Sequence, residues 1–261
     1  MNKTISPEYL WQTIRMETEL AVLQEPALAS FLHLTVLRHP NLAQVLAFHL
    51  SSKLSSSVMD ARALFETYEE ALGNNPDIIQ AAQADIIAYY ERDPACDAYN
   101  LPLLYYKGFH AIQAHRINHW LWRQGRKTLA YFLQNRASEV FGVDIHPAAR
   151  MGYGIMIDHA TGVVIGETAV LGNDISMLHG VTLGGSGKET GDRHPKIDNG
   201  VMIGANASVL GNIRIHACAK IGAGSVVVED IPAGSTAVGI PARVIKTGDC
   251  HIPAEEMDQR I

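Results

Sequence analysis

After Gly142 an aliphatic residue falls at every sixth position. The series runs Ile145, Met151, Ile157, Val163, Ala169, Ile175 and Val181, then resumes at Ile197, Ile203, Val209, Ile215, Ile221 and Val227. Neither an α-helix nor a flat strand has a six-residue period. A repeat of that length suits a parallel β-helix, in which each hexapeptide forms one side of a triangular coil with its aliphatic residue inward. Residues 18 apart then stack one coil above another, and the thirteen positions predict just over four coils, a prism roughly 20 Å tall. Gly152, Gly166, Gly172, Gly204 and Gly222 are expected at corners, where positive φ or close backbone approach is needed. Val181 and Ile197 are 16 residues apart, one repeat plus an insert of ten around SGKETGDRHP. That insert has to leave the prism as an external loop, and loops held by a rigid scaffold often carry function.

Upstream of Gly142 the pattern is helical. Ser6-Pro7 reads as an N-cap followed by proline at the first helical position. Leu10, Ile14, Leu20 and Leu23 follow at helical spacing, and Pro26, Pro40, Gly73-Asn74 and Asp93-Pro94 punctuate the segment. The run from Pro102 to Trp122 predicts one apolar helix. An α+β chain is expected: a helical domain over 1–141, a β-helix over 142–246 and a tail over 247–261.

The composition, 47% apolar and 18% charged, suits a folded chain with a real core. A formal charge of −6 gives no polybasic footprint, so nucleic acid is not an expected partner. No apolar run approaches the roughly 20 residues that span a bilayer, and acids occupy the N-terminal stretch where a secretory signal would be apolar. Cys96, Cys218 and Cys250 are odd in number and lack metal-ligand spacing, for which a reducing cytoplasm is the simplest reading.

Four stretches carry a resemblance to a known family: RDPACDAYNLPLLYYKGFHAIQAHRINHWLW (92–122), VDIHPAARMGYGIMIDHATGVVIGETAVLGND (143–174), VTLGGSGKETGDRHPKIDNGVMIGANASVLGNI (181–213) and VGIPARV (238–244). The chain resembles serine O-acetyltransferase, a hexapeptide-repeat enzyme of cysteine synthesis. The resemblance implies a left-handed β-helix that moves an acetyl group from acetyl-CoA to the hydroxyl of L-serine, with no permanently bound cofactor and no metal. An alcohol is a poor nucleophile at neutral pH, so a base has to take its proton as it attacks the thioester. By motif match that base is His159, oriented by Asp144, with His194 as a second active-site histidine. Asp93 and Asp158 match the partners of the substrate ammonium. Arg193, from the external loop, matches the partner of its carboxylate, which a guanidinium can grip with two parallel hydrogen bonds. Gly184, Gly185, Ala205 and Ala223 would let the pantetheine arm approach the backbone, with Lys220 and Arg243 near the nucleotide phosphates.

The same resemblance implies a trimer with its site in the cleft between prisms, joined through the helical domains as a dimer of trimers. It also implies competition by L-cysteine and docking of Ile261 into O-acetylserine sulfhydrylase. Other readings stay open. The acceptor could be homoserine, or the protein could act mainly as a regulatory partner of the sulfhydrylase. His159, His179 and His216 could be ligands of a metal-binding β-helix. His146 is expected to bond locally beside Pro147, and Glu167 is either a support of the site or solvated.

Overall fold

The computed structural model describes residues 5–188 and 190–260. Its N-terminal layer is helical: α1 (Pro7–Gln24), α2 (Ala29–Leu32), α3 (Leu42–Leu54), α4 (Ala61–Asn74), α5 (Asp77–Arg92), α6 (Asn100–Tyr105), α7 (Lys107–Arg123) and α8 (Lys127–Phe141). The Ser6 side chain accepts from the Tyr9 amide at 3.2 Å, so the expected N-cap starts α1. The helix expected over 102–122 is two helices. Tyr106 is extended (φ −88°, ψ 108°), and the break lets α7 begin with Gly108 pressed on the prism. A Cβ on Gly108 would lie 2.1 Å from the Ile157 carbonyl oxygen, so only glycine permits this crossing.

α8 ends on Gly142 in the left-handed conformation (φ +68°), and the prism starts at once. Its first face holds β1 (Val143–Ile145), β4 (Val163–Ile165), β7 (Thr182–Gly184), β10 (Ser208–Leu210) and β13 (Val226–Val227). The second holds β2 (Arg150–Met151), β5 (Val170–Leu171), β8 (Lys196–Ile197) and β11 (Arg214–Ile215). The third holds β3 (Met156–Ile157), β6 (Ser176–Met177), β9 (Met202–Ile203) and β12 (Lys220–Ile221), and closes with β14 (Ser235–Gly239) and β15 (Ala242–Thr247). All pairings are parallel except the last, β14 with β15. The result is the expected left-handed β-helix, about five coils tall on its first face.

The stacking corrects the sequence register. Ile145 lies under Ile165, Leu183, Val209 and Val227, and Ile157 under Met177, Ile203 and Ile221. Along the chain the step from Ile157 to its successor Ile165 is eight residues, not six. Two extra residues therefore sit in the corner Asp158–Gly162, where His159 and Ala160 both have positive φ (+55° and +57°). The slip was hidden because Val163, Ala169, Ile175 and Val181, two residues ahead of the stacking positions, are also fully buried. From Leu183 to Ile197 the step is 14, so the external loop adds eight residues rather than ten. Gly152, Gly166, Gly172 and Gly204 serve close approach, not positive φ.

The open end of the prism is sealed by three side chains of α5, spaced along one helical face. The Ile155 amide donates to Asp85 Oδ1 at 2.8 Å, while Asp85 Oδ2 accepts from Arg116 (2.7 Å) and Gln113 (2.8 Å). Tyr89 Oη accepts from the Ile157 amide (3.0 Å) and donates to its carbonyl (2.9 Å). Arg92 donates to the Gly154 carbonyl (2.9 Å) and to Asp174 (3.2 Å). Together these groups occupy the edge of β3 that no lower coil can pair, which an exposed edge requires. Asp93, the next residue, is thereby fixed against the His159 corner.

The chain end runs back along the third face to the short α9 (Pro253–Glu256), where the Ser176 hydroxyl donates to the Ala254 carbonyl at 2.7 Å. A disulfide joins Cys218 to Cys250, with Cα atoms 5.3 Å apart, and Cys96 is a buried free thiol. An odd cysteine count did not disclose that pair. Among the described residues no single helix is long and apolar enough to cross a membrane.

Two histidines of the helical layer make stability depend on pH. Burial pushes His49 down to about 4, with Lys53 adding to it, and His115 down to about 3, with His119 and Arg116 adding. Both values lie below the ordinary 6.5, so between them the unfolded chain binds more protons than the folded one. Stability is expected to be complete above about pH 6.5 and to fall toward pH 4 by about 1.4 kcal/mol per unit for each histidine. Denaturant midpoints at pH 7 and pH 5 check this; equal midpoints would contradict it.

Candidate active site

Two clusters of the expected residues form, on different edges of the prism. The first lies where the third face turns into the first. A cavity of about 420 Å³ there is lined by Asp93, Tyr106, Lys107, Asp158 and His159, among others. The His159 side chain is 75% exposed, and its Nε2 is 3.6 Å from Asp158 Oδ2. Burial raises the Asp158 carboxyl; His159 opposes the shift and Asp93 adds to it. A carboxyl in this position stabilises positive charge on the neighbouring ring, or on an ammonium group placed in the cavity. Lys107 donates to the Thr161 hydroxyl and ties α7 to the same corner.

Stacking places His179 one coil above His159, with ring centroids 6.1 Å apart, and Ala205 and Ala223 on the next two coils of that edge. Above His179 the side chains on that edge are small.

The second cluster lies where the first face turns into the second, at the base of the external loop. Arg193 Nη2 is 2.7 Å from Glu167 Oε2, and that bond holds the Glu167 carboxyl below its usual range. The His194 ring lies on Gly166, where a Cβ would come within 2.0 Å of it. His194 is 7% exposed, and burial, then Arg193, lowers its pKa. Gly184 ends β7 on this edge, and Gly185 packs beside Arg193.

Within one chain the two histidines stand apart. His159 precedes β4 and His194 packs on the residue that follows it. The strand between, Val163 to Gly166, spans roughly 10–15 Å at about 3.3 Å per residue. No small amino acid bridges that distance.

The remaining expected residues are placed less closely. Asp144, on β1, accepts from Gln134 Nε2 at 2.6 Å and makes no hydrogen bond to His159 among the described residues. Lys220 lies under the tail and donates to the Arg260 carbonyl, and Arg243 faces Glu229 at 3.8 Å. Lys220 stands on the third face three residues before Ala223, and Arg243 pairs with Val238, which continues the strand stacked over Lys220 and Ile221. Ile261 lies outside the described residues. His146 Nδ1 accepts from the Ala148 amide at 3.0 Å, the local bond expected beside Pro147. His216 lies 3.5 Å from Asp198, away from both clusters. Among the described residues no three His, Cys, Asp or Glu converge as metal ligands.

Sequence reasoning left Glu167 undecided and passed over Thr168, Gln134 and Lys107. Their contacts join residues 10 to 54 positions apart, and no local spacing announces them.

Comparison with known proteins places these features. The family model "Serine acetyltransferase, N-terminal" matches residues 10–114, and the bacterial transferase hexapeptide model matches residues 194–228. The serine acetyltransferase of Escherichia coli K12 is 56% identical over 252 residues, 97% of this chain and 92% of that protein. A Neisseria gonorrhoeae serine acetyltransferase solved in complex with serine is 72% identical, with a TM-score of 0.88 over 90% of this chain and 96% of that one. A serine acetyltransferase in complex with cysteine is 53% identical (TM-score 0.97, 98% and 100% covered). The Brucella abortus S19 enzyme in complex with coenzyme A is 50% identical (TM-score 0.90, 92% and 96% covered).

Proposed function

The chain belongs to the serine acetyltransferase family of acyltransferases, and from that premise we propose that each of its active sites is built from two half-sites on different protomers. The observation that carries this is the placement of His159 and His194 on opposite edges of one prism face. A three-fold assembly would bring the His159 edge of one prism against the His194 edge of its neighbour, a heterologous contact that closes into a ring.

In that cleft the L-serine ammonium lies against Asp93 and Asp158 and its carboxylate against Arg193, with His194 beside it. The relatives solved with serine and with cysteine support an acceptor bearing both groups. His159 takes the hydroxyl proton as the oxygen attacks the thioester carbonyl of acetyl-CoA. The oxyanion collapses, the carbon–sulfur bond breaks, and the proton passes from His159 to the departing thiolate. Asp158 stabilises the transient imidazolium, and Asp144 is the acid assigned by motif to orient the ring. The relative solved with coenzyme A supports the co-substrate. Its pantetheine arm runs over Ala205 and Ala223 on one chain and Gly184 and Gly185 on the other, with Lys220 and Arg243 toward the phosphates.

L-Cysteine presents the same ammonium and carboxylate as serine and so competes for the same cradle. Met16, Leu20, Leu23, Leu28 and Leu34 leave exposed apolar side chains on the first helical segments, a surface by which a second trimer would join. The C-terminal Ile261 is the residue proposed to dock in O-acetylserine sulfhydrylase.

The test is thiol release from acetyl-CoA with L-serine, D-serine, L-homoserine and glucosamine as acceptors. Release with L-serine alone is expected. Equal release with L-homoserine would move the acceptor assignment, and release with none would remove the catalytic one.

A further inference from the structure

The external loop is held at its base by the Glu167–Arg193 ion pair, by Lys196, which donates to Asp192 and to the Thr168 and His194 carbonyls, and by one hydroxyl. Thr168 Oγ accepts from the Arg193 amide and from the His194 amide, each at 3.0 Å. Two lone pairs serve two donors, so the hydroxyl proton is free to be given. His194 Nδ1 lies 2.9 Å away, and the Asp192 carboxylate is a second acceptor bonded to Thr168. The Thr168 amide reaches the same nitrogen at 3.2 Å. A backbone amide can only donate, so Nδ1 has to be the unprotonated, accepting nitrogen. Nε2 therefore carries the hydrogen. It has no partner among the described residues and is not sealed from solvent.

We propose that Thr168 is a positioning residue that holds His194 as a neutral imidazole with Nε2–H presented to the cleft. His194 then donates a hydrogen bond to a negatively charged oxygen of the bound substrates and takes no proton, which leaves His159 as the base. Gly166 completes the arrangement: a Cβ there would come within 2.0 Å of Nε2 itself and close the donor off. Glu167, the neighbouring residue, performs the parallel task for Arg193 through its 2.7 Å ion pair. One tripeptide, Gly166-Glu167-Thr168, thus aims both loop residues.

The inference rests on His194 belonging to the acyl-transfer site, and the test separates the two. Ring-15N-histidine enzyme is observed by long-range proton–nitrogen correlation, with His194→Gln used to assign the signal. In the resting protein His194 is expected to be protonated on Nε2. Thr168→Val, which keeps the shape and the backbone amide on Nδ1 but leaves the Arg193 and His194 amides without their acceptor, is expected to keep the Nε2 tautomer and to lower kcat/KM for serine about 10- to 100-fold. Thr168→Ser is expected to restore the rate to within about threefold, since it offers the same donor and acceptor. A wild-type His194 protonated on Nδ1, or a valine variant with its rate unchanged, would overturn the assignment. Full activity in His194→Gln would instead remove His194 from the site while leaving the tautomer assignment standing.

Discussion

Replacing His159 by asparagine is expected to lower kcat for L-serine acetylation by roughly 10²- to 10⁴-fold, the contribution of a positioned general base. The melting temperature is expected to hold. His159 sits at φ +55°, a conformation that asparagine tolerates better than alanine, and its side chain is 75% exposed, so little packing is lost. KM for serine should change far less than kcat, because the ammonium and carboxylate partners are other residues. A variant that melts normally and turns over within a few-fold of the parent would remove His159 from the reaction.

The second large effect concerns stability and lies far from the chemistry. Asp85→Ala is expected to destabilise the fold by about 3–5 kcal/mol, leaving Arg116 as a buried charge without its partner. It also strips the Ile155 amide of its acceptor at the open end of the prism. A fall in Tm on the order of 10 °C should follow. Tyr89→Phe, which unpairs the Ile157 amide and carbonyl without uncovering a charge, is expected to cost less, about 1–3 kcal/mol. Reversal of that order would mean that the prism end is not sealed through α5.

The same seal links stability to function. Asp85, Tyr89 and Arg92 dock α5 on β3, and the chain then delivers Asp93 to the cavity beside Asp158. The helical layer therefore supplies one wall of the cavity as well as a lid on the coil.

The solenoid was legible in the sequence because its period is carried by inward aliphatic side chains, whose burial the coil enforces. The phase was not. Each hexapeptide buries two positions, so a two-residue slip at Asp158–Gly162 exchanged one buried set for the other without breaking the pattern. That slip is the most consequential feature of the region, since it produces the corner that projects His159. The break at Tyr106 was hidden because no proline interrupts the sequence between Leu103 and Trp122, and it is set by the contact of Gly108 with Ile157. The ion pair of Glu167 with Arg193, the hydroxyl of Thr168 on His194 and the Cys218–Cys250 bond join residues 26 and 32 positions apart, across one coil or from tail to coil. A period describes inward residues; these contacts lie on the outside and at the corners. Motif resemblance named His159, Asp158, Asp93, Arg193 and His194 and implied a site between prisms; the stacking adds which of these residues lie on each edge.

Subunit complementation tests that division most directly. His159→Ala and His194→Ala chains, each inactive alone, are unfolded together, refolded as mixed oligomers and assayed for L-serine-dependent release of CoA. If each site draws one histidine from each of two chains, about a quarter of the sites in an equimolar mixture regain both, and activity returns to that order. Mixed oligomers shown to contain both chains yet as inactive as either parent would contradict the shared site.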